Sequence, residues 1–288
     1  MNLYTGIDPA SFLGRARPML EAHEAENNLI LGVAIRLCEH PGWDDLPPYL
    51  AVVVDDIDRP VLAAAITPPR HLLLAVDPAL PADRLDGALA LLVHDLQERR
   101  QAVPGVTAES ALSERFARAW TQATGKPSRV KTRTRTFELR RVIPPPNPPP
   151  GQLRLATPQD ADLVTRWHLA FSQEALGEGT LEESQKYAAR LISLESAFLW
   201  DDSGPVSMAV RARPTPHGYT VTGVYTPPGL RGRGYASACV AALSQQLLDG
   251  GKQFCTLFTD LSNPISNSIY QKIGYQPLAD FENRIFEP

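Results

Sequence analysis

Cysteine is scarce in this 288-residue chain, which has three: Cys38, Cys239 and Cys255. They lack metal-ligand spacing, and their odd number leaves one unpaired, so they read as buried thiols of a cytoplasmic protein rather than as a disulfide framework. Long apolar runs are also missing. No stretch approaches the ~20 residues of a membrane span. The opening Met1-Asn-Leu-Tyr-Thr-Gly-Ile-Asp has neither the basic nor the apolar region of an export signal. There is no surplus of positive charge either, the net charge being −4, which argues against general nucleic-acid binding. With 43% hydrophobic and 21% charged residues, the chain has the composition of a globular protein. These absences lead to the expectation of a cytoplasmic monomer or homodimer with no metal, no membrane and no nucleic-acid partner.

The most informative stretch is 219–250. Tyr219, Val221, Thr222, Val224 and Tyr225 favour a strand. Pro227 and Pro228 cannot donate ladder hydrogen bonds and end it. Glycines at 229, 232 and 234 then open a turn, and Ala236, Val240, Leu243 and Leu247 recur with helical spacing until Gly250-Gly251. A strand, a glycine turn and a helix start make an anion site, because the first helical N–H groups have no partner within the helix and the dipole favours negative charge there. Gly232, Gly234, Ala236 and Ser237 are small enough for a phosphate to approach the backbone, with Tyr235 among them, and Arg231 and Arg233 add charge.

A dinucleotide is one reading, since Gly232-Arg-Gly234 begins a G-x-G-x-x-G pattern. The third position, however, is Ser237, and the chain left after Asp260 is too short for the further βα units that fold requires. Arg231-x-x-Gly234-x-Ala236 instead resembles the pyrophosphate loop of GNAT-type N-acetyltransferases, Q/R-x-x-G-x-G/A. Downstream, Asn263-Pro-Ile-Ser266-Asn-Ser-Ile-Tyr270-Gln-Lys-Ile-Gly274-Tyr275 resembles the family's second motif, with Asn263 and Pro264 suited to start a helix and Ile265, Ile269 and Ile273 forming its apolar stripe.

The resemblance covers about residues 152–288 and implies an α/β architecture: a mixed sheet with helices on both faces, the GNAT acyl-CoA N-acyltransferase fold. It implies acetyl-CoA as co-substrate and Tyr270 as the general acid that protonates a departing thiolate. Asn263 and Ser266 would hold the pantetheine arm. Val224, Tyr225 and Thr226 would pair with the arm as a short extra strand, and one of their N–H groups would polarise the thioester carbonyl. Many family members carry a glutamate on the central strand as base, whereas Thr220-Val-Thr-Gly-Val-Tyr has no acid. Glu174 is the substitute candidate: it continues the stripe Leu163, Trp167, Phe171 and is expected in apolar surroundings facing the cleft. Asp260 and His217 are weaker alternatives.

Elsewhere, helices are expected over about 10–40 with a break at Asn27-Asn28, over 82–100, over 110–123 capped by Ser110, after Thr157-Pro158, and over 181–193. Strands are expected at 49–55, 61–67, 71–76, 128–142, 197–200, 206–211, 255–259 and 283–286. In the long strand 128–142, Arg129, Lys131, Arg133 and Arg135 share one face, read as solvated or as edge protection. Pro-Pro-Pro-Asn-Pro-Pro-Pro at 144–150 should form an extended spacer. It divides a catalytic domain, 151–288, from an N-terminal domain, 1–143, whose element order is the same. There the turn after 71–76 has three acids and no glycine, Asp-Pro-Ala-Leu-Pro-Ala-Asp-Arg-Leu-Asp, so that copy is expected to have lost the cofactor. The expected function is transfer of an acetyl group from acetyl-CoA to a primary amine by direct attack in a ternary complex. The alternative is a non-catalytic CoA-binding or protein-interaction module.

Overall fold

A computed structural model describes residues 1–287, apart from the side chains of Leu176, Ile265 and Ser266. Packing divides the chain into two compact units. One comprises Met1–Thr136, Thr259–Ser262 and the chain from Pro277 on; the other comprises Phe137–Phe258 and Asn263–Gln276. The division is not a single cut in sequence, and the proline run falls within the second unit.

The first unit runs β1 (Asn2–Thr5), α1 (Pro9–Ala22), α2 (Asn28–Glu39), β2 (Tyr49–Val54), β3 (Pro60–Ile66), β4 (Leu72–Val76), α3 (Ala82–Glu98), β5 (Gly105–Glu109), α4 (Ser110–Thr124) and β6 (Ser128–Leu139), whose last residues pass into the second unit. Strands β1 to β4 pair antiparallel, and β4 pairs parallel with β5. Every residue of β2 is buried because the sheet is covered on both faces. Leu50, Val52 and Val54 meet Phe12, Ala16 and Leu31 of the α1–α2 layer. Tyr49, Ala51 and Val53 meet Leu89, Leu92 and Phe116 of the α3–α4 layer.

The second unit opens with β7 (Gln152–Leu155) and a 3₁₀ turn, Pro158–Asp160. It continues with α5 (Ala161–Leu176), α6 (Leu181–Ser193), β8 (Ala197–Asp201), β9 (Pro205–Ala212) and β10 (Gly218–Tyr225). A 3₁₀ turn, Pro228–Leu230, leads to α7 (Tyr235–Asp249), β11 (Phe254–Asp260) and α8 (Pro264–Lys272). The last residues of β11 and, from Pro277 on, β12 (Gln276–Phe286) belong to the first unit. Strand, two helices, three strands, helix, strand, helix, strand is therefore written twice along the chain, as the sequence suggested. One face of this unit's sheet packs Val221 and Leu257 on Cys239, Leu243 and Ile273 of the α7–α8 layer. The other packs Met208, Val210 and Tyr225 on Val164, Trp167 and Leu191 of the α5–α6 layer.

Several local expectations change. Ser110 is not a cap: it is the first residue of α4, Glu109 precedes it, and its Oγ donates to Asp280 O at 3.1 Å. The edge strands β1 and β7, four residues each, are too short for a periodic signal. Strand β12 is far longer than 283–286, and it pairs antiparallel with β5, Phe281 opposite Glu109 and Ile285 opposite Gly105. The basic face of β6 is solvated but protects no edge. Within the first unit it forms a ladder of ion pairs with β12, Arg133 to Glu282 at 3.0 Å and Arg135 to Asp280 at 2.6 Å.

Candidate active site

The site is built where β10 gives way to α7. Strand β10 pairs antiparallel with β9 along its length, except at a bulge between Thr222 and Tyr225 where Gly223 takes φ +57°. Its parallel ladder with β11 holds Gly218, Tyr219 and Thr220 opposite Phe254, Cys255 and Thr256, and ends there. Beyond Thr220 and Thr256 the two strands part, which leaves one edge of Val224 and Tyr225 outside that ladder. On the other edge Ser207 Oγ donates to Tyr225 O at 3.1 Å and meets Thr226 Oγ1 at 2.9 Å, so this strand end is held in place rather than frayed.

The turn then brings the chain to the start of α7. Gly234 is the N-cap with φ +84°, a left-handed conformation that a side chain would strain, and no side chain caps the helix. The first-turn N–H groups at Tyr235, Ala236 and Ser237 therefore lack an internal acceptor. A Cβ at Gly232 would meet nothing within 4 Å, and one at Gly234 would meet Pro149 Cδ at 3.6 Å. The proline run thus passes beside the helix mouth, fixed by Trp200 Nε1 donating to Pro150 O at 2.9 Å. Open space, unpartnered N–H groups and nearby guanidinium groups fit a diphosphate. Tyr235 is itself buried, its hydroxyl donating to Asp202 Oδ2 at 2.6 Å.

The two arginines of the turn differ. Arg233 is exposed; it donates to Gly229 O at 3.4 Å and acts on the Tyr235 hydroxyl. Arg231 turns back: its Nε donates to Thr226 O at 2.9 Å and its guanidinium pairs with Glu174 Oε2 at 2.5 Å. Tyr225 Oη donates to the other oxygen of Glu174 at 3.3 Å. The fold thus brings together three residues of the expected site, Glu174, Tyr225 and Arg231. The apolar surroundings expected for Glu174 are absent, since its side chain is 46% exposed and both oxygens have polar partners. The reason is its position near the end of α5, just before the Gly177 cap, where the stripe runs out over solvent.

Tyr270 lies in the last turn of α8, 9% exposed, packed among Leu257, Ile273 and Tyr275. Burial pushes its phenol up to about 12. Its neighbour Tyr275, edge-on at 6.1 Å, is fully buried, and its hydroxyl is engaged by Ser244 Oγ at 2.9 Å. For Tyr270 Oη no hydrogen-bond partner is found among the described residues. Gly274 closes this motif with φ +108°, and a Cβ there would stand 2.5 Å from Arg141 O. Asn263 precedes α8, its carbonyl accepting from Asn267 N at 3.2 Å. Ser266 is on α8, but its side chain lies outside the described residues. Asp260 Oδ1 accepts from Ser262 N and Oγ, both at 2.7 Å, and so serves its own turn.

Sequence reasoning missed Ser207, which has no motif around it. It also gave no position to Arg213, taken up below. Cys239 and Cys255 are fully buried, with thiols pushed up by burial to about 12, a state in which a thiol is neither nucleophile nor ligand. Among the described residues no cluster of three or more His, Cys, Asp or Glu could hold a metal, and no helix is long and apolar enough to cross a membrane.

Comparison with known proteins agrees with this geometry. Residues 205–285 match the family model described as FR47-like protein. An N-acetyltransferase related to GCN5 from Sphaerobacter thermophilus is 19% identical over 99% of this chain and 95% of its own, with a TM-score of 0.64. A tandem GNAT protein from the clavulanic acid biosynthesis pathway is 13% identical over 100% and 99%, with a TM-score of 0.62. A GNAT-family acetyltransferase from Colwellia psychrerythraea is 12% identical over the whole of both chains, with a TM-score of 0.59. No curated protein matches the sequence. The fold is that of the GNAT acetyltransferases, present twice in tandem.

Proposed function

We propose that the second unit is an acyl-CoA N-acyltransferase that moves an acetyl group from acetyl-CoA to a primary amine by direct attack. The observation that carries this reading is the parting of β10 from β11 beyond Thr220 and Thr256, next to an uncapped helix mouth. A free strand edge can accept an amide-bearing chain as an extra strand, and the helix mouth can hold a diphosphate at that chain's end. Gly232, Arg233, Gly234, Tyr235, Ala236 and Ser237 would bind the diphosphate mainly through backbone N–H groups. Val224, Tyr225 and Thr226 would pair with the pantetheine arm, and Asn263 and Ser266 would line it. Arg231 binds indirectly, by fixing the turn to Thr226 O and to Glu174.

Bound acetyl-CoA supplies an activated acyl group as a thioester. Tyr270 gives its proton to the departing sulfur; a phenol with a raised pKa and no acceptor among the described residues keeps that proton until a strong base appears beside it. An N–H at the end of β10 steadies the negative oxygen of the attacked carbonyl. Glu174, held in place by Arg231 and Tyr225, takes the proton lost by the amine. Transfer of that proton through solvent from Glu174 back to Tyr270 closes the cycle. A covalent acyl-enzyme has no support, because both cysteines of this unit are buried thiols away from solvent.

The test is release of free thiol from acetyl-CoA by the full chain against a panel of primary amines. Amine-dependent thiol release is expected. Tight binding of CoA without turnover of any amine would favour the non-catalytic module instead.

A further inference from the structure

Arg213 follows β9 directly and precedes Pro214, in the link to β10. By strand alternation its side chain would share the face of Arg211, whose guanidinium lies over Tyr219 at 5.2 Å and donates to Glu195 O at 3.1 Å. It does not, because Arg213 takes φ +46°, a left-handed conformation that costs an ordinary residue and is found where the surroundings impose it. The surroundings here are firm: Gly218 N donates to Thr215 Oγ1 at 3.1 Å, Thr215 N to Gly218 O at 3.0 Å, and Lys252 Nζ to Thr215 O at 3.0 Å. On the other side Ala212 is paired with Thr220, so the strained residue is held by its neighbours before and after it.

The turn sends the guanidinium to the α5–α6 face. It lies 5.8 Å from the ring of Phe258, a residue on the part of β11 beyond the last pair with β10. Its Nε is buried and has no hydrogen-bond acceptor. Among the described residues the one titratable group acting on it is the Tyr187 hydroxyl, and burial disfavours its charge. Tyr187 stacks on His168 at 4.3 Å, and His168 Nδ1 meets Ser184 Oγ at 3.0 Å. Arg213 as a whole is half-buried; a guanidinium turned inward without a counter-charge is costly, and a ligand carboxylate would supply the missing charge.

We propose that Arg213, with Tyr187, is the anion-recognition end of the acceptor pocket, so that the acceptor is an amine that also carries a carboxylate. This rests on the acyltransferase reading above. Tyr225 and Glu174 flank the same α5–α6 face, so the amine would stand at the strand end while its carboxylate reaches inward between β10 and β11. One guanidinium balances one negative charge, and its planar fork matches the two oxygens of a carboxylate. A phosphate, with nearly two charges, would leave the site overfilled.

The experiment compares amino acids with their amides and with aminoalkylphosphonates as acceptors for the full chain. Amino acids are expected to show kcat/KM at least tenfold above their amides. Arg213→Met should bring that ratio to about one, mostly through KM, with acetyl-CoA binding unchanged. Equal rates for acids and amides, a preference for phosphonates, or a preference that survives Arg213→Met would each overturn the proposal. A second measurement is independent of turnover: the melting temperature with an N-acetylated amino acid, the product-like probe. The wild-type chain should be stabilised and Arg213→Met should not; no shift, or the same shift in both, rejects the site even if the enzyme reading stands. If Arg213→Met does not fold, Arg213→Lys, which keeps charge but loses the fork, should weaken the probe's effect at least fivefold, and an undiminished effect counts against the assignment.

Discussion

Tyr270 and Tyr275 stand edge to face, ring centroids 6.1 Å apart in the same apolar layer, yet their hydroxyls have different fates. Ser244 satisfies Tyr275, whereas no hydrogen bond to Tyr270 Oη is found among the described residues. Its hydroxyl is therefore available to donate to a ligand. Tyr270→Phe should therefore lower kcat well over tenfold while leaving acetyl-CoA binding, measured by titration calorimetry, within twofold. Unchanged turnover with a working acceptor would remove Tyr270 from the mechanism. Tyr275→Phe is the control: it breaks the bond to Ser244 and should cost stability of about 1 kcal/mol with kcat intact. Glu174 is tested by its pH profile. Glu174→Gln should cut kcat/KM at least tenfold and flatten the acid limb, and an acid limb that persists would assign the base elsewhere.

At the scale of elements, the entry to α5 shows how a short strand and a helix start are tied together. Thr157 and Asp160 form a reciprocal cap, and Arg154 of β7 reaches Asp160 at 2.8 Å and Asp201 of β8 at 2.8 Å. The hydrogen bonds from Arg154 hold the carboxyl of Asp160 well below the usual carboxylate range and lower that of Asp201 as well. A carboxylate with a lowered folded-state pKa contributes stability that is fully present above its unfolded value, about 3.9, and is lost as pH falls through the folded value. Arg154→Met should accordingly cost about 2 kcal/mol at neutral pH. The gap between variant and wild type should narrow as pH falls below about 4, read from urea midpoints across that range. A gap independent of pH would mean that Arg154 acts by packing its stem and not by its charge. The same local logic made this cap visible in advance, since Thr157-Pro158-Gln-Asp160 carries its own partners within four residues.

For the whole molecule, the doubled element order raises the question of how many cofactors one chain takes. In the first unit, the turn from β4 to α3 has Pro81 at the cap position and no positive-φ glycine, and Asp77 Oδ1 already takes the Ala79 N–H at 2.9 Å. The cavity beside Val76 and Pro78 is lined by the acids Glu26, Glu109 and Asp280 as well as Arg135, and Arg135 is paired with Asp280. Such a place repels a diphosphate. Calorimetric titration with acetyl-CoA should give one equivalent per chain, and NAD should leave the melting temperature unchanged. Two equivalents would mean that the first unit binds after all.

The central strand, the glycine turn, α7 and the α8 motif were legible in the chain because their signals are local: β-branched residues, two prolines, glycines at fixed spacing and an isoleucine stripe on α8. The repeated order of elements was legible for the same reason. What only the tertiary structure decided is contact between residues distant in sequence. Glu174 looked apolar from its helical stripe, yet it meets Arg231, 57 positions later. The long β12 finds its antiparallel partner in β5, about 170 residues earlier. The parting of β10 from β11 depends on a register between two strands separated by a helix, and the inward turn of Arg213 depends on a backbone angle that Thr215, Gly218 and Lys252 impose. Periodicity and capping act over a few residues and can be read along a chain. Pairing, exposure and strain are set by which surfaces meet, and a sequence does not list its neighbours in space.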